Sequence, residues 1–370
     1  MLSKNKVGVL LPQSNAYPSM GKSFLNGMHL ALKETQYNLI IESIGSGSDP
    51  KQLINSFQKL CFQENVILTT GILGHYGFKE LTDFAGNNQE TLIAANFGSK
   101  HPLELPDGVF QNSLGLYDSL QLLAEYLLQN NKTKMATSTC YYEAGYGFIE
   151  ALDSIISQEN ISFSGHYITP LHPRKNESEL MHRFFSEIKP DAIIAFHNNI
   201  FAREHAFYLE QNQLHLKHPM YMLPFSAEEA LLKEYPEVFN TTKTISSWYP
   251  ELNTESNKLF TQEYWQEFNK SPDFFALLGY ENGLVIRSTF NKSKQECSTI
   301  IKHLKLEGPR GLIDFNNSYN RTSYDHYIWN NESTNQQHPQ RSIYAKLNKK
   351  TFTGSSKKNN TGWFNTYLCH

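Results

Sequence analysis

Short apolar runs alternate along most of the chain with segments whose apolar residues recur every three or four positions. Residues 7–11 form a continuous apolar run of the kind that makes a buried strand. After a polar loop, Phe24, Met28 and Leu32 recur at the spacing of one helix face. The same succession continues to a short apolar run at residues 220–223. Because strands that alternate with helices of about ten residues form βαβ units, the pattern predicts parallel sheets covered by helices.

The alternation falls into two successive sets of βα units, and the size of the chain agrees with two domains. Its 370 residues exceed the usual domain of about 100–200 residues. We therefore expect an α/β fold with two doubly wound parallel-sheet lobes joined by a hinge. We place lobe one in residues 1–117 and 250–325, and lobe two in residues 118–249 and 326–349. Residues 350–370, rich in Lys, Asn, Gly and Ser at their start, are predicted to form a polar tail.

Composition and motifs exclude several classes of function. The formal net charge is −3 without a Lys/Arg run, so we expect no nucleic-acid partner. No apolar stretch approaches the roughly 18–20 residues of a membrane span, so we expect no membrane insertion. The four cysteines show no CxxC spacing and the histidines are scattered, which predicts neither a metal site nor a cofactor. Nucleophile-elbow, metalloprotease, P-loop and dinucleotide motifs are missing from the sequence, so we do not expect an enzyme.

Loops that follow the predicted strands carry the candidate binding residues. In open α/β sheets, ligands bind beyond the carboxyl ends of the strands. These loops are rich in aromatic, amide and hydroxyl side chains, which stack on an apolar ligand body and hydrogen-bond its polar end. The alternative is ordinary loop polarity without a ligand. The candidates in these loops are Gln13, Tyr17, His75, Tyr76, Asn96, Phe97, Ser99, Tyr146, His197 and Asn198.

Several short motifs follow one another in an order that resembles a known family. They are residues 7–12 with Gly21, Ser48-Asp49-Pro50, Gly145-Tyr146-Gly147, Lys189-Pro190-Asp191-Ala192, Gly279-Tyr280-Glu281-Asn282-Gly283 and Gly308-Pro309-Arg310-Gly311. This order resembles the type I periplasmic binding proteins, especially the branched-chain amino-acid receptors of ABC transporters. The resemblance covers roughly residues 6–330.

The resemblance implies roles for some of the candidate residues. Ser99 falls where a hydroxyl and a backbone N–H grip the ligand carboxylate, and Phe97 where a backbone carbonyl faces the ligand. Tyr146 matches a tyrosine of the second lobe, with His197 and Asn198 near a further ligand contact. His75 stands where serine is usual. A histidine there could donate a hydrogen bond, or carry a positive charge if its pKa lies near neutral.

One departure from the family pattern bears on the ligand. The resemblance implies an acidic residue after residues 220–223 to neutralise an amino group, but Phe225 and Ser226 occupy that loop as candidate ligand contacts. The nearest acids, Glu228 and Glu229, are expected to start a helix. Burying an ammonium without a carboxylate costs several kcal/mol. An organic acid, an aromatic carboxylate or a neutral polar molecule therefore fits at least as well as an α-amino acid.

The resemblance implies an extracytoplasmic solute-binding protein that captures a small polar molecule by hinge closure and delivers it to an ABC permease. The polar residues before the first strand leave no room for an export signal. Either the signal has been removed from a periplasmic protein, or the chain is a cytoplasmic ligand sensor of the same fold. An enzyme whose catalytic residues the sequence hides is the least favoured alternative.

Overall fold

The described part of the protein consists of two large β-sheets with helices packed on them and a separate two-stranded hairpin. The computed structural model describes residues 5–159, 161–332, 340–349 and 362–370. The expected α/β class with parallel sheets is confirmed. Within the described ranges, helices are too short or too polar to cross a bilayer.

The first sheet is wholly parallel and has the strand order β2-β1-β3-β4-β5. Its strands are β1 (Lys6–Leu11), β2 (Asn38–Ser43), β3 (Leu68–Ile72), β4 (Leu92–Asn96) and β5 (Val109–Ser113). Helices α1 (Met20–Leu32), α2 (Pro50–Gln58) and α3 (Phe78–Asn87) connect the first four strands. Asp49 caps α2, because its side chain accepts a hydrogen bond from the Lys51 N–H at 2.9 Å and proline occupies the first helical position.

The second sheet has the order β14-β13-β10-β9-β8-β6-β7. Five strands are parallel: β6 (Met135–Cys140), β7 (Gly165–Thr169), β8 (Ala192–Phe196), β9 (Met220–Met222) and β10 (Lys243–Ser246). Its helices are α4 (Leu116–Gln129), α5 (Phe148–Ile156), α6 (Glu177–Ile188), α7 (Asn199–Asn212), α8 (Leu214–Lys217), α9 (Glu229–Glu234) and α10 (Pro236–Phe239). Two antiparallel strands, β13 (His326–Glu332) and β14 (Gln340–Leu347), extend one edge, which the sequence did not predict.

The remaining elements return to the first sheet. They are α11 (Glu255–Phe268), α12 (Phe274–Arg287), α13 (Lys294–His303) and the hairpin β11 (Lys305–Gly308) and β12 (Gly311–Asp314). Helix α12 lies on the first sheet, where the Asn282 amide donates to the Thr70 hydroxyl at 2.9 Å. It also crosses α1 at Gly27 and Gly279, where an added Cβ would lie 2.0 Å from a carbonyl oxygen of the other helix. The two helix backbones are therefore in direct contact.

A buried ion pair joins the hairpin to the region where the chain passes between the sheets. Arg310 donates to Glu281 at 2.9 Å, and neither side chain is exposed. The same guanidinium donates to the Ser113 carbonyl at 2.8 Å and to the Ser247 hydroxyl at 3.2 Å. It thereby connects the end of β5 with the segment that follows β10. We call each sheet with its helices a lobe; the lobe boundaries predicted from sequence remain predictions.

Candidate functional site

The carboxyl ends of the strands in the two sheets face each other across a cleft, and loops from both lobes touch there. The Asn199 backbone N–H donates to the Tyr17 hydroxyl at 3.2 Å. The Gly147 N–H donates to the Ser99 carbonyl at 2.8 Å. The two lobes are therefore in a closed arrangement, with hydrogen bonds running from one to the other.

Aromatic residues predicted from sequence come together in this cleft. Phe97 of lobe one packs edge-to-face on Phe225 of lobe two, with 6.0 Å between ring centroids. Tyr17 also packs on Phe225, at 5.8 Å, and all three side chains are buried. His75 meets Tyr146 of the other lobe at 6.1 Å. Edge-to-face pairs of this kind favour a fixed geometry, so they give the cleft defined apolar walls.

Other candidate residues are held by contacts within their own lobe. Gln13 is exposed, and the Asn96 side chain accepts from the Gly98 N–H at 3.0 Å, which closes its own turn. The Ser226 hydroxyl accepts from the His197 N–H at 2.7 Å. The His197 ring stacks on His205 at 4.0 Å. These contacts stabilise the loops, and ligand roles for these side chains remain predictions.

The charge of His75 differs from one of the two alternatives that the sequence left open. Burial, together with the charge of Lys100, lowers the pKa of His75 to about 4. The imidazole is therefore neutral near pH 7, and the expected alternative of a positively charged His75 is wrong. A neutral ring can still donate one hydrogen bond. Its Nδ1 atom is buried and has no hydrogen-bond partner among the residues that the structure describes.

Glu143 is a cleft residue that the sequence did not single out. It lies in the turn after β6, and its side chain is completely buried. One carboxylate oxygen accepts from the Asn198 amide and, at 3.0 Å, from the Tyr367 hydroxyl. Burial raises the pKa of Glu143 to about 7. The available signal was an acid three residues after a buried strand, in the loop from which only Tyr146 was selected as a candidate.

Glu228 supplies a second carboxylate. It precedes α9 as expected for a residue that starts a helix, but its side chain also lies beside the Tyr17 hydroxyl. Burial raises the pKa of Glu228 to about 7. The inference that an ammonium group would find no carboxylate in the cleft is therefore wrong. Sequence position alone did not reveal that the side chains of Glu143 and Glu228 point into the cleft.

The buried Glu143 predicts a pH-dependent stability. Because its folded pKa lies above its ordinary value, its contribution is complete at low pH and is lost as the pH rises through about 7. We expect the unfolding free energy of wild type, relative to Glu143→Gln, to fall by on the order of 2 kcal/mol between about pH 5 and pH 8. Urea unfolding at each pH measures it.

The comparison with a variant is needed because buried histidines act in the opposite direction. Burial lowers the pKa of His205 to about 3, so its contribution is lost as the pH falls. That effect is common to wild type and Glu143→Gln and cancels in the difference. Glu104→Gln, at an exposed position, is the matched control. A difference between wild type and Glu143→Gln that stays constant with pH contradicts the prediction.

The cleft also contains a segment that the sequence placed in a polar tail. We call residues 362–370 the cleft segment; residues 350–361 lie outside the described residues. Thr366, Tyr367, Leu368 and Cys369 of this segment are buried. A cavity of about 40 Å³ remains beside it, bounded in part by His75, Ser99 and Tyr367.

No cluster of side chains suited to a metal ion occurs among the described residues.

Comparisons with known proteins agree on the fold. The structure matches an ABC transporter substrate-binding protein from Sphaerobacter thermophilus with a TM-score of 0.80 and 19% identity, over 93% of this chain and 98% of that one. It matches a solute-binding protein of an ABC transporter from R. palustris, solved with benzoate, with a TM-score of 0.73 and 18% identity, over 93% and 96% of the two chains. It also matches a leucine-binding protein from Thermotoga maritima with a TM-score of 0.69 and 15% identity, over 93% of this chain and 99% of that one.

Sequence comparison gives the family directly. A search of curated proteins found no match. The family model described as "Periplasmic binding protein" matches residues 4–331, which is most of the chain. The two parallel sheets and the cleft between them agree with the type I branch that the motif order resembles. This chain belongs to the periplasmic binding protein family.

Proposed function

We propose that the protein is an extracytoplasmic solute-binding protein that captures a small polar molecule between its lobes and delivers it to an ABC-type permease. The observation that carries the proposal is that strand-end loops from the two lobes are joined by hydrogen bonds. Asn199 donates to Tyr17, and Gly147 donates to Ser99. Contacts available only in the closed arrangement supply the free energy of closure when a ligand bridges the lobes.

The side chains of the cleft support an amino acid or an aromatic carboxylate as the ligand. Phe97 and Phe225 offer apolar ring surfaces, and Ser99 a hydroxyl for a carboxylate. Glu143 and Glu228 offer carboxylates for an ammonium group, which would relieve the cost of their burial. The benzoate bound to the R. palustris protein and the name of the T. maritima protein are consistent with both ligand classes.

A thermal-shift screen with amino acids and with aliphatic and aromatic carboxylates tests the proposal. A ligand that binds only the folded state stabilises it by about 2.7 kcal/mol at a hundredfold excess over its Kd. We expect Ser99→Ala to weaken binding of a carboxylate ligand about tenfold to a hundredfold, because it removes a hydrogen bond to a charged group. Isothermal titration measures the change in Kd.

Ser56→Ala in α2 is the matched control and is expected to leave the Kd unchanged. Because Tyr367 lies in the cleft, the screen is run on wild type and on Tyr367→Ala. If neither protein binds any compound of these classes, the proposed function is wrong. If ligands bind with the same Kd to Ser99→Ala and wild type, Ser99 is not a ligand contact.

A further inference from the structure

The cleft segment contacts both lobes in the way a bound ligand does. On lobe one, the Thr366 N–H donates to the Ser46 carbonyl at 2.8 Å, and the Ser14 hydroxyl donates to the Leu368 carbonyl. On lobe two, the Trp363 indole N–H donates to the Tyr142 carbonyl at 2.6 Å. One short peptide therefore spans the gap between loops that follow strands of the two sheets.

Tyr367 is the central contact of this segment. Its ring packs on Tyr146 at 4.9 Å and on Phe97 at 5.8 Å, so it touches both lobes. Its hydroxyl donates to Glu143 at 3.0 Å. These three partners include two residues, Phe97 and Tyr146, that were predicted from sequence to contact a ligand. The segment consequently occupies the place that the proposed ligand requires.

Further contacts hold the two ends of the segment. The Phe364 ring stacks on Tyr76 of lobe one at 4.2 Å, and the His370 ring stacks on Tyr142 of lobe two at 4.0 Å. His370 also hydrogen-bonds Asn198 at 3.2 Å. Stacked ring pairs favour one relative orientation, so both contacts fix the position of the segment. The segment is thus anchored at both ends and in the middle.

The backbone of the cleft leaves room for the segment at glycines of both lobes. A Cβ on Gly145 of lobe two would lie 2.1 Å from the Trp363 ring. A Cβ on Gly74 of lobe one would lie 2.8 Å from the Thr366 Cα atom. A side chain at either position would therefore overlap the segment. The segment therefore fits closely against particular backbone atoms on opposite walls of the cleft, in addition to burying apolar surface.

The cavity beside the segment is too small for an organic ligand. The remaining cavity of about 40 Å³ has room for about three waters at 10–15 Å³ each. A cavity that takes a benzene ring is about 150 Å³. An aromatic carboxylate, or an amino acid of similar size, can enter only after Tyr367 has moved out.

We propose that residues 362–370 are a built-in peptide occupant of the interlobe cleft, which holds the lobes closed and excludes a small-molecule ligand until it is displaced. The inference rests on the proposed function in taking this cleft as the ligand site. Because the segment belongs to the same chain, it competes with a free ligand at an effective concentration of about 1 mM, the range typical of a short flexible tether. The cleft is then also a site for aromatic peptides.

Peptide binding to the full chain tests the occupant directly. The probe is a fluorescein-labelled synthetic peptide of residues 362–370, with serine in place of Cys369. We expect Tyr367→Ala, which weakens the chain's own segment and leaves the cleft walls intact, to bind this peptide at least tenfold more tightly than wild type. Fluorescence anisotropy measures the Kd. The matched control is Tyr344→Ala, at an exposed tyrosine of β14, which is expected to behave as wild type.

A second variant tests the same idea without a peptide. All four cysteines are buried in the described structure, and Cys369 belongs to the cleft segment. We expect Gly145→Ala to expel the Trp363 ring and to raise the rate of maleimide labelling of Cys369 at least tenfold, read by mass mapping. Gly21→Ala, whose added Cβ meets only Leu11 at 3.5 Å or beyond, is the control and is expected to label slowly.

The outcomes separate this inference from the proposed function. Equal peptide affinity for wild type and Tyr367→Ala, or Cys369 labelling unchanged in Gly145→Ala, overturns the inference. If leucine or benzoate binds wild type and Tyr367→Ala equally and leaves Cys369 protected, the inference fails and the proposed function stands. If the peptide binds Tyr367→Ala selectively and Cys369 is released in Gly145→Ala, but no small molecule binds, the inference stands and the proposed function fails.

Discussion

Replacing Glu281 with alanine is expected to lower the unfolding free energy by about 3–5 kcal/mol, because it leaves the buried guanidinium of Arg310 without its charge partner. Both side chains of this pair are completely buried. Arginine cannot lose its proton to escape the cost, since its guanidinium stays charged at any ordinary pH. Urea unfolding gives the free energy and its m-value.

The surroundings of Arg310 explain why its loss of a partner is costly. Besides Glu281, its guanidinium donates to Asn112 and to the Ser113 carbonyl, at 2.9 and 2.8 Å, and it lies 3.9 Å from the centre of the Tyr324 ring. These neutral partners satisfy its N–H groups but do not neutralise its charge. The guanidinium is completely buried between the hairpin and the end of β5, so solvent does not compensate the loss of Glu281.

Two further variants distinguish an unpaired charge from a simple cavity. Glu281→Ala combined with Arg310→Met removes both charges and is expected to be more stable than Glu281→Ala alone. Glu255→Ala is the control, because Glu255 pairs with Lys258 at 2.7 Å while remaining 91% exposed, and is expected to change stability by about 1 kcal/mol or less. A loss below about 1 kcal/mol in Glu281→Ala contradicts the prediction.

Gly27→Ala is expected to destabilise the protein by about 3 kcal/mol or more. The added Cβ would lie 2.0 Å from the Ala276 carbonyl oxygen and 2.7 Å from the Tyr280 nitrogen. Both atoms belong to the backbone of α12, so the overlap cannot be relieved by turning a side chain. The helices α1 and α12 must move apart, which loosens the core between them. Thermal and urea unfolding measure the loss.

Gly21→Ala is the matched control for this substitution because it lies in the same helix. Its Cβ would meet Leu11 at 3.5 Å, an ordinary contact distance, and alanine favours a helix over glycine by up to about 1 kcal/mol. We expect Gly21→Ala to be neutral or slightly stabilising. If Gly27→Ala is as stable as Gly21→Ala, the direct contact of the two helix backbones is not as described.

Regular elements were predictable wherever one face of an element is apolar. The apolar run at residues 7–11 lies in β1, and Phe24, Met28 and Leu32 lie in α1, as the pattern predicts. β5 was missed because three of its five residues, Gln111, Asn112 and Ser113, are polar, yet all three are buried. The side-chain partners of Asn112 include Glu281 and Asn282 on α12, which lie more than a hundred residues away in sequence. A local pattern holds no information about such partners.

The candidate site was predictable in position but less so in orientation. Strand ends of parallel sheets collect on one edge, and this rule places Tyr17, Phe97 and Tyr146 in the loops that line the cleft. Whether a side chain turns into the cleft depends on what its own lobe offers it. His197 stacks on His205 instead, and Glu143 turns inward to meet Asn198.

The sequence by itself determined the two α/β lobes and the cleft between them, because hydrophobic periodicity records which face of each element is buried. The tertiary structure alone decided the charge state of the cleft and its occupant. Tyr367 meets Glu143 across 224 residues of sequence, and the Glu143 pKa of about 7 exists only when that carboxyl is buried. Burial of a charge and occupation of a cavity are properties of the assembled packing, which no short stretch of sequence encodes.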